Sequence, residues 1–508
     1  MTTVTNPSAG ILFFSGYGYS SKALTSLDGQ IYVAQGKGFS VATLNSNGYP
    51  ISTNEEIYSF GGGNVDLGGL VRTSDGSFFI GGYGQEYSSG PVDFIVLKFL
   101  SNGKIDTNYG VSGKVKTDFK ANSYGFDLLI QSDQKIIQIG QVNLDFALAR
   151  YNLDGSLDAS FGNNGKVITN VLLNDSAKSG ALQADGKILV VGYTLDPITS
   201  TIILALLRYN SDGTLDTNFD GDGKATTYFG TQSVGVGVVV QNDGKIVCAA
   251  EGENFMLARF NINGTLDTSF GVAGKVITRF PNYANATDIT IQKDGKFLVC
   301  GALHNRDGND LVLARYNVDG SLDTTFDEDG MVVTNLGGND YPMSITLQDD
   351  GKILVSGVGS ASPSASRLVS LTRYNVNGSL DTTFNGMKPM PAVTTEKHNL
   401  SVIVEKGVLN FSAVLLKGLT ETITLTAGAV TKHTVEYSGL TFDYNAIDSL
   451  ITTVTRDDEF TTEFRKELTD AAPSTVNLTY KDAVTLVGVV NIDSILINLA
   501  GLDGNFVN

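Results

Sequence analysis

The chain is short of the residues that build metal centres, disulfide frameworks and polyanion-binding surfaces. It has three histidines, two cysteines and ten prolines in 508 residues, and 35 Lys and Arg against 53 Asp and Glu. His304, His398 and His433 are too scattered for a metal-ligand spacing. Cys248 and Cys300 occupy the same strand of neighbouring repeats at positions of opposite parity, so they point to opposite faces and read as small buried side chains. A formal charge of −18 argues against nucleic acid, since phosphate-backbone binding needs clustered Lys and Arg to release counterions. Few prolines beside 58 glycines indicate tight turns between ordered strands rather than a disordered tract. No stretch reaches the roughly 18 unbroken apolar residues of a membrane span, so no membrane insertion is expected. Residues 1–7 show neither the basic nor the apolar region of a secretory leader. Synthesis in a cytoplasm is therefore expected, with any extracellular role reached by lysis, by assembly on a particle or by unusual export.

What the chain has in abundance is repetition. Seven Asp-Gly-type turns, at Asp28, Asp75, Asp133, Asp185, Asp243, Asp294 and Asp350, are each followed by an apolar run, a second strand-like run and a turn glycine. Those glycines, Gly48, Gly103, Gly155, Gly213, Gly264, Gly320 and Gly378, cover 330 residues in six intervals, a mean spacing of 55. Periods of this size indicate propellers, solenoids or arrays. In the fourth copy, residues 165–170, 179–183, 187–192 and 202–209 read as four strands, bounded by Gly, Asn and Asp. Four strands per unit match a propeller blade, and each Asp-Gly pair reads as a type I′ hairpin turn. The ten-residue stretch 210–219 suits a crossing from one blade to the next. The fold expected is an all-β seven-bladed propeller over residues 1–386. Ile11–Phe14 reads as the inner strand of the first blade, and nothing strand-like follows Phe384, so the ring is expected to lack an interlocking closure strand unless residues 2–6 add one.

Residues 387–396, with Pro389 and Pro391, read as a linker. Residues 397–508 hold no copy of the repeat. Strand-like runs at 400–416, 422–426, 435–442, 476–480 and 484–499, with a helix over 455–470 carrying Phe460, Phe464 and Leu468 on one face, predict a small α+β domain for docking or oligomerisation.

The third repeat runs Leu148-Ala149-Arg150-Tyr151-Asn152, Asp154-Gly155-Ser156-Leu157-Asp158, Phe161-Gly162 and Gly165-Lys166-Val167. This pattern, over residues 10 to 386, resembles the delta-sixty bacterial β-propeller repeats; the first copy, with Thr43-Leu44-Asn45, and the second, with Lys98-Phe99-Leu100, depart from it. The resemblance implies a propeller and no single activity, and an occurrence in bacterial surface proteins and phage particle proteins.

Arg150, Arg208, Arg259, Arg315 and Arg373 could form a basic ring for anionic sugars, but a residue recurring in nearly every blade is better explained by pairing with Asp158, Asp216, Asp267, Asp323 and Asp381. The Asn-x-Asp-Gly-Ser loops offer oxygens at alternate positions, yet lack the further ligands of a calcium loop and suit turn formation. No nucleophile elbow, His-Glu-x-x-His or phosphate loop is present, and chance carboxylate pairs are unavoidable among 53 acidic residues. No catalytic, metal or cofactor site is expected. The informative asymmetry is the loop between the third and fourth strands as counted above, short in repeats one, three and five and longer in two, four, six and seven, on the face opposite the Asp-Gly hairpins. Uneven insertions on one face of an array mark binding surfaces, which makes Tyr83, Tyr87, His304 and Arg306 the candidate ligand-binding residues. The function expected is that of a non-enzymatic phage virion protein, a propeller on tail, fibre or head, oligomeric on the particle. Its C-terminal domain would contact other virion proteins and its loops a host-surface glycan or protein. The alternatives are a bacterial surface or secreted binding propeller and a polysaccharide-acting enzyme.

Overall fold

The computed structural model describes residues 65–384 except 86–89, 307 and 361–367, parts of residues 3–52, and, beyond residue 384, the backbone of separate strands. The chain divides into two compact units, Met1–Lys388 and Pro389–Asn508.

In the first unit the innermost strands of seven antiparallel sheets, Ser21–Thr25, Val65–Arg72, Ser123–Ile130, Leu173–Leu182, Val234–Val240, Ala284–Ile291 and Tyr341–Leu347, neighbour one another in a closed circle. This is an all-β, seven-bladed propeller, as the period implies. The blades are packed through apolar clusters: Leu189, Leu204 and Phe219 of blade 4 meet Val238, Ile246 and Cys248 of blade 5. Cys248 belongs to that cluster and Cys300 to the one between blades 6 and 7. Both cysteines are buried and free, and each faces the opposite neighbour.

Three local expectations are corrected. The first concerns where a blade starts. Lys166–Thr169 pairs with Asp145–Tyr151 and is the outer strand of blade 3, not the first strand of blade 4, whose own outer strand is Lys224–Thr227. Residues 210–223 therefore join the third and fourth strands of one blade, and the crossing between blades is the short stretch 170–172. A four-residue strand of alternating character reads equally well as either edge, and only pairing decides. The second concerns closure. Ile11–Phe14 pairs with the third strand of blade 7, Leu368–Tyr374, and Thr3–Val4 adds a fifth strand outside it. The N-terminal strand thus completes the last blade and interlocks the ring, because the inner place in blade 1 is filled by Ser21–Thr25. The third concerns the Asp-Gly turns. In blade 4 the Gln183 N–H donates to the Lys187 carbonyl and the Gly186 N–H to that of Gln183, leaving three loop residues of which Gly186 alone has positive φ, +82°. This is a type I turn closed by one left-handed residue, not a type I′ turn. In blade 3 Gln134 takes that conformation at φ 65°.

The recurrent loop residues lock blades 3 to 7 each to the next. Arg150 donates from Nε to Asp158 at 2.8 Å and from Nη1 to the Ser211 carbonyl of blade 4, while its guanidinium lies 4.5 Å above the Phe161 ring. Arg208, Arg259 and Arg315 repeat this with Asp216, Asp267 and Asp323, reaching the carbonyls of Ile262, Val318 and Val376. Arg373 pairs with Asp381 and reaches Ser46 of blade 1, so the same clasp crosses the ring closure. The aspartates also take a lysine from the turn of their own blade, as Lys135 does with Asp158 at 2.9 Å. The glycine that follows is required by geometry: at Gly213, φ +87°, a Cβ would stand 2.8 Å from the Phe161 ring of the preceding blade. The tyrosine beside each arginine adds a second link. Tyr151, Tyr209, Tyr316 and Tyr374 hydrogen-bond Thr117, Thr169, Thr278 and Thr334 on the outer strand of the preceding blade, at 2.6–3.0 Å. Blade 5 carries Phe260 there, and Thr227 Oγ1 opposite it is buried without a partner among the described residues.

In the second unit Val408–Leu415 pairs with Ala446–Ile447 and Val484–Asn491, Thr420–Leu425 with Ser474–Thr479, and His433–Tyr437 with Leu440–Tyr444. The helix expected over 455–470 and the linker 387–396 lie outside the described residues.

Candidate functional site

Strands alternate in direction, so the Asp-Gly turns occupy one end of the ring and the connections between second and third strands the other. The latter are the uneven loops, renumbered by the corrected start of each blade. In blades 4 and 6 the extra residues lengthen the hairpins, Ile188–Asp196 with Thr201–Tyr209 and Phe297–Asn305 with Gly308–Tyr316.

Near this end six inner strands carry a β-bulge at the same place. The ladder skips Gly68, Phe126, Lys178, Val236, Thr287 and Met343 in blades 2 to 7. A bulge leaves one residue unpaired and re-aims it. Opposite it the second strand carries a residue with little or no side chain, glycine in five of these blades and Ala250 in blade 5. A Cβ at Gly82, Gly140, Gly192, Gly301 or Gly357 would lie 1.9–2.2 Å from a carbonyl oxygen of the inner strand. One residue beyond that glycine, or beyond Ala250 in blade 5, come Tyr83, Gln141, Tyr193, Glu251, Ala302 and Val358, in register with Asp66, Tyr124, Ser176, Val234, Asn285 and Tyr341. The backbone frame repeats and the side chains it presents do not.

Over blades 2 to 5 these variable residues form one cluster. The Tyr83 hydroxyl donates to Asp66 at 3.1 Å, and its ring meets Tyr124 and Phe126 edge-on at 5.1 and 5.9 Å. Burial pushes the Tyr83 phenol well above its usual range, and the Asp66 carboxylate acts in the same direction. The Lys178 ammonium lies 4.0 Å from the centre of the Phe126 ring and 5.7 Å from that of Tyr193. Burial lowers the Lys178 pKa and raises that of Glu251, while each charge opposes the other's shift. Tyr124, Tyr193 and Lys178 are partly exposed. Such an arrangement offers ring faces, hydroxyl and carboxyl partners and one cation to a ligand.

Of the candidate residues, Tyr83 belongs to this cluster. His304 stands apart in blade 6, where its Nε2 lies 2.7 Å from Asn285 Oδ1 and its ring packs edge-on to Tyr283 at 4.8 Å. Burial holds His304 below its ordinary pKa, against a hydrogen bond to Asn309. Arg306 is exposed at the hairpin tip, and Tyr87 lies outside the described residues. The sequence reading missed Asp66, Tyr124, Phe126, Lys178, Tyr193 and Glu251. Aligning the repeats on their second-strand glycine would have exposed the position after it; the bulge has no sequence signature. The recurrent arginines are consumed by their clasps, and in the loops Asp154 Oδ1 accepts the N–H and hydroxyl of Ser156 at 2.9 and 2.6 Å, a turn-forming role. Among the described residues no group of three or more His, Cys, Asp or Glu is placed to hold a metal ion, and no helix is long and apolar enough to cross a membrane.

A comparison with curated proteins finds no match. Among solved structures, the chain is similar to the extracellular domain of a one-component system from B. thetaiotaomicron, at 14% identity and a TM-score of 0.38, over 73% of this chain and 40% of that one. It is also similar to YCF48 from Cyanidioschyzon merolae, at 11% identity and a TM-score of 0.40, over 73% and 98% of the two chains. The polysaccharide lyase Uly1 gives 11% identity and a TM-score of 0.41 over 74% and 98%. Residues 73–109, 131–161, 183–219, 241–270, 292–326 and 348–384 match the family described as domain of unknown function (DUF5122) beta-propeller, so the repeats of blades 2 to 7 fit a propeller family.

Proposed function

We propose that the chain is a non-catalytic binding propeller carried on a phage particle, with a host-surface glycan held over blades 2 to 5 and residues 389–508 contacting other virion proteins. The observation that carries the binding reading is the contrast between frame and content. Positions fixed by the same bulge hold Tyr83, Gln141, Tyr193 and Glu251 on one arc but Ala302 and Val358 on the other. Packing needs repeat around a ring; a ligand occupies one part of it. Aromatic faces beside carboxyl and hydroxyl groups suit the alternating apolar and polar faces of a sugar ring. The particle location draws on the resemblance of the blade loops to delta-sixty repeats, which occur in phage particle proteins.

The test is a glycan array probed with the full chain and with Y193A and Y83A. Saccharide binding weakened by either substitution, with no cleavage of the bound polysaccharide, is the expected result. Retention by wild type of no saccharide at all would overturn the binding reading, and product release would overturn its non-catalytic part. For the location, a phage encoding the chain without residues 389–508 should yield particles lacking the propeller; normal incorporation would refute the docking role.

A further inference from the structure

We propose, on the strength of the glycan-binding reading, that the site over blades 2 to 5 selects anionic saccharides, with Lys178 as the residue that receives the acidic group. Lys178 is the bulge residue of blade 4, set out of the ladder between Ala177 and Ser179. Its neighbours in the same backbone place are Phe126 and Val236. A lysine on an innermost strand is a costly choice unless its charge is used, because burial disfavours the ammonium. Elsewhere around this ring comparable cations have acceptors: Lys135, Lys245, Lys296 and Lys352 each pair with an aspartate at 2.7–2.9 Å. Lys178 is different. Its described contacts are ring faces, Phe126 at 4.0 Å and Tyr193 at 5.7 Å, and among the described residues it makes neither a hydrogen bond nor an ion pair.

Ring faces attract a cation but leave its three N–H donors without acceptors. Those donors are open to an oxyanion that reaches the cluster. Tyr193 flanks the position and is partly exposed, and Glu251, near enough to oppose the Lys178 shift yet outside ion-pair range, is left to accept from sugar hydroxyls. The chemistry fits a saccharide whose ring lies on an aromatic side chain while its carboxylate or sulfate meets the ammonium. A lysine is a point charge without the planar fork of arginine, so both acidic groups are admitted.

The experiment is isothermal titration calorimetry on the full chain with three oligosaccharides of matched length, one neutral, one containing uronate and one sulfated. Wild type, K178M and K178R are compared, with thermal melting of each variant as the folding control. The expected result is tighter binding of one or both acidic ligands to wild type, a loss of about tenfold or more in K178M and affinity within a few-fold of wild type in K178R. The neutral ligand should be indifferent to K178M. Preference for uronate over sulfate, or the reverse, identifies which acidic group the site takes. Equal affinity for neutral and acidic ligands, or an acidic ligand unaffected by K178M, overturns this inference while leaving glycan binding intact. Absence of binding by any of the three overturns both.

Discussion

Blade 5 is missing one link, and restoring it should stabilise the ring. At four interfaces a tyrosine hydroxyl meets a threonine hydroxyl at 2.6–3.0 Å, but Phe260 faces Thr227, whose Oγ1 is buried with no partner among the described residues. Thr227 is 3% exposed and Phe260 1%, so bulk solvent does not reach the hydroxyl. A hydrogen bond contributes about 1 kcal/mol net, and a buried hydroxyl left unmet costs about 1–3 kcal/mol; F260Y should therefore gain about 1–2 kcal/mol, since the added oxygen enters the place that a tyrosine hydroxyl holds in blades 3, 4, 6 and 7. With about 2.1 cal/mol/K of unfolding entropy per residue, a unit of 388 residues has about 0.8 kcal/mol/K, and the gain corresponds to about 2 °C in Tm. The companion substitution T227V supplies the sharper test through its sign. In the wild type it removes an unmet hydroxyl and should raise Tm; in F260Y it removes a hydrogen bond and should lower it. Differential scanning calorimetry on the four proteins reads both effects. A T227V change of the same sign in both backgrounds, or F260Y below wild type, would refute the account of the interface.

Three further outcomes follow from buried groups. R259A takes from Asp267 its buried partner, leaving Lys245 at 2.8 Å, and leaves the Val318 carbonyl unmet at the interface of blades 5 and 6, where the Arg–Asp pair is under a tenth exposed, and should cost about 1–3 kcal/mol; urea unfolding in which it matches a surface Arg→Ala control would contradict the clasp. Burial, reinforced by Asp310, pushes the Asp340 carboxyl up to about 7 against the N–H groups of Leu336 and Ser360. A raised carboxyl binds its proton in the folded state longer than in the unfolded one, so stability falls as pH rises from about 4 to about 7. Relative to wild type, D340N should lose that slope, and parallel Tm curves between pH 5 and 8 would show that Asp340 does not contribute. Cys248 and Cys300 are fully buried, and burial pushes both thiols far above their usual range; neither should react with a thiol-specific reagent at pH 8 until the protein is unfolded, and stoichiometric labelling of the native chain would count against the packing.

The outcome at each level follows from which interactions leave a trace in a linear sequence. The number of blades was legible because seven copies of a turn need seven copies of the same glycine. The Arg–Asp pairing was legible because both members recur eight residues apart, as Arg259 and Asp267 do. The start of each blade was not, because Lys166–Thr169 fits the edge of either neighbour by composition and is assigned only by its ladder to Asp145–Tyr151. Closure failed for the same reason: Ile11–Phe14 looks like any short apolar strand, and its partner lies more than 350 residues away.

The candidate site divides along the same line. Loop length pointed to the end of the ring where the cluster lies and to Tyr83, but it favoured hairpin tips such as Arg306, which the fold leaves exposed. The residues that gather lie one turn of the ladder lower, where a bulge displaces Phe126 and Lys178 and a glycine admits the displaced strand. The bulge recurs in blades 2 to 7, and its recurrence is what frees the bulge residue to vary. Six blades hold Gly, Phe, Lys, Val, Thr and Met in one place, a range that no single packing requirement would tolerate. In a ring where Arg, Asp, Tyr and Phe are tied to interfaces, such a position can change its chemistry without loosening a blade, which is the property a binding surface on this scaffold needs.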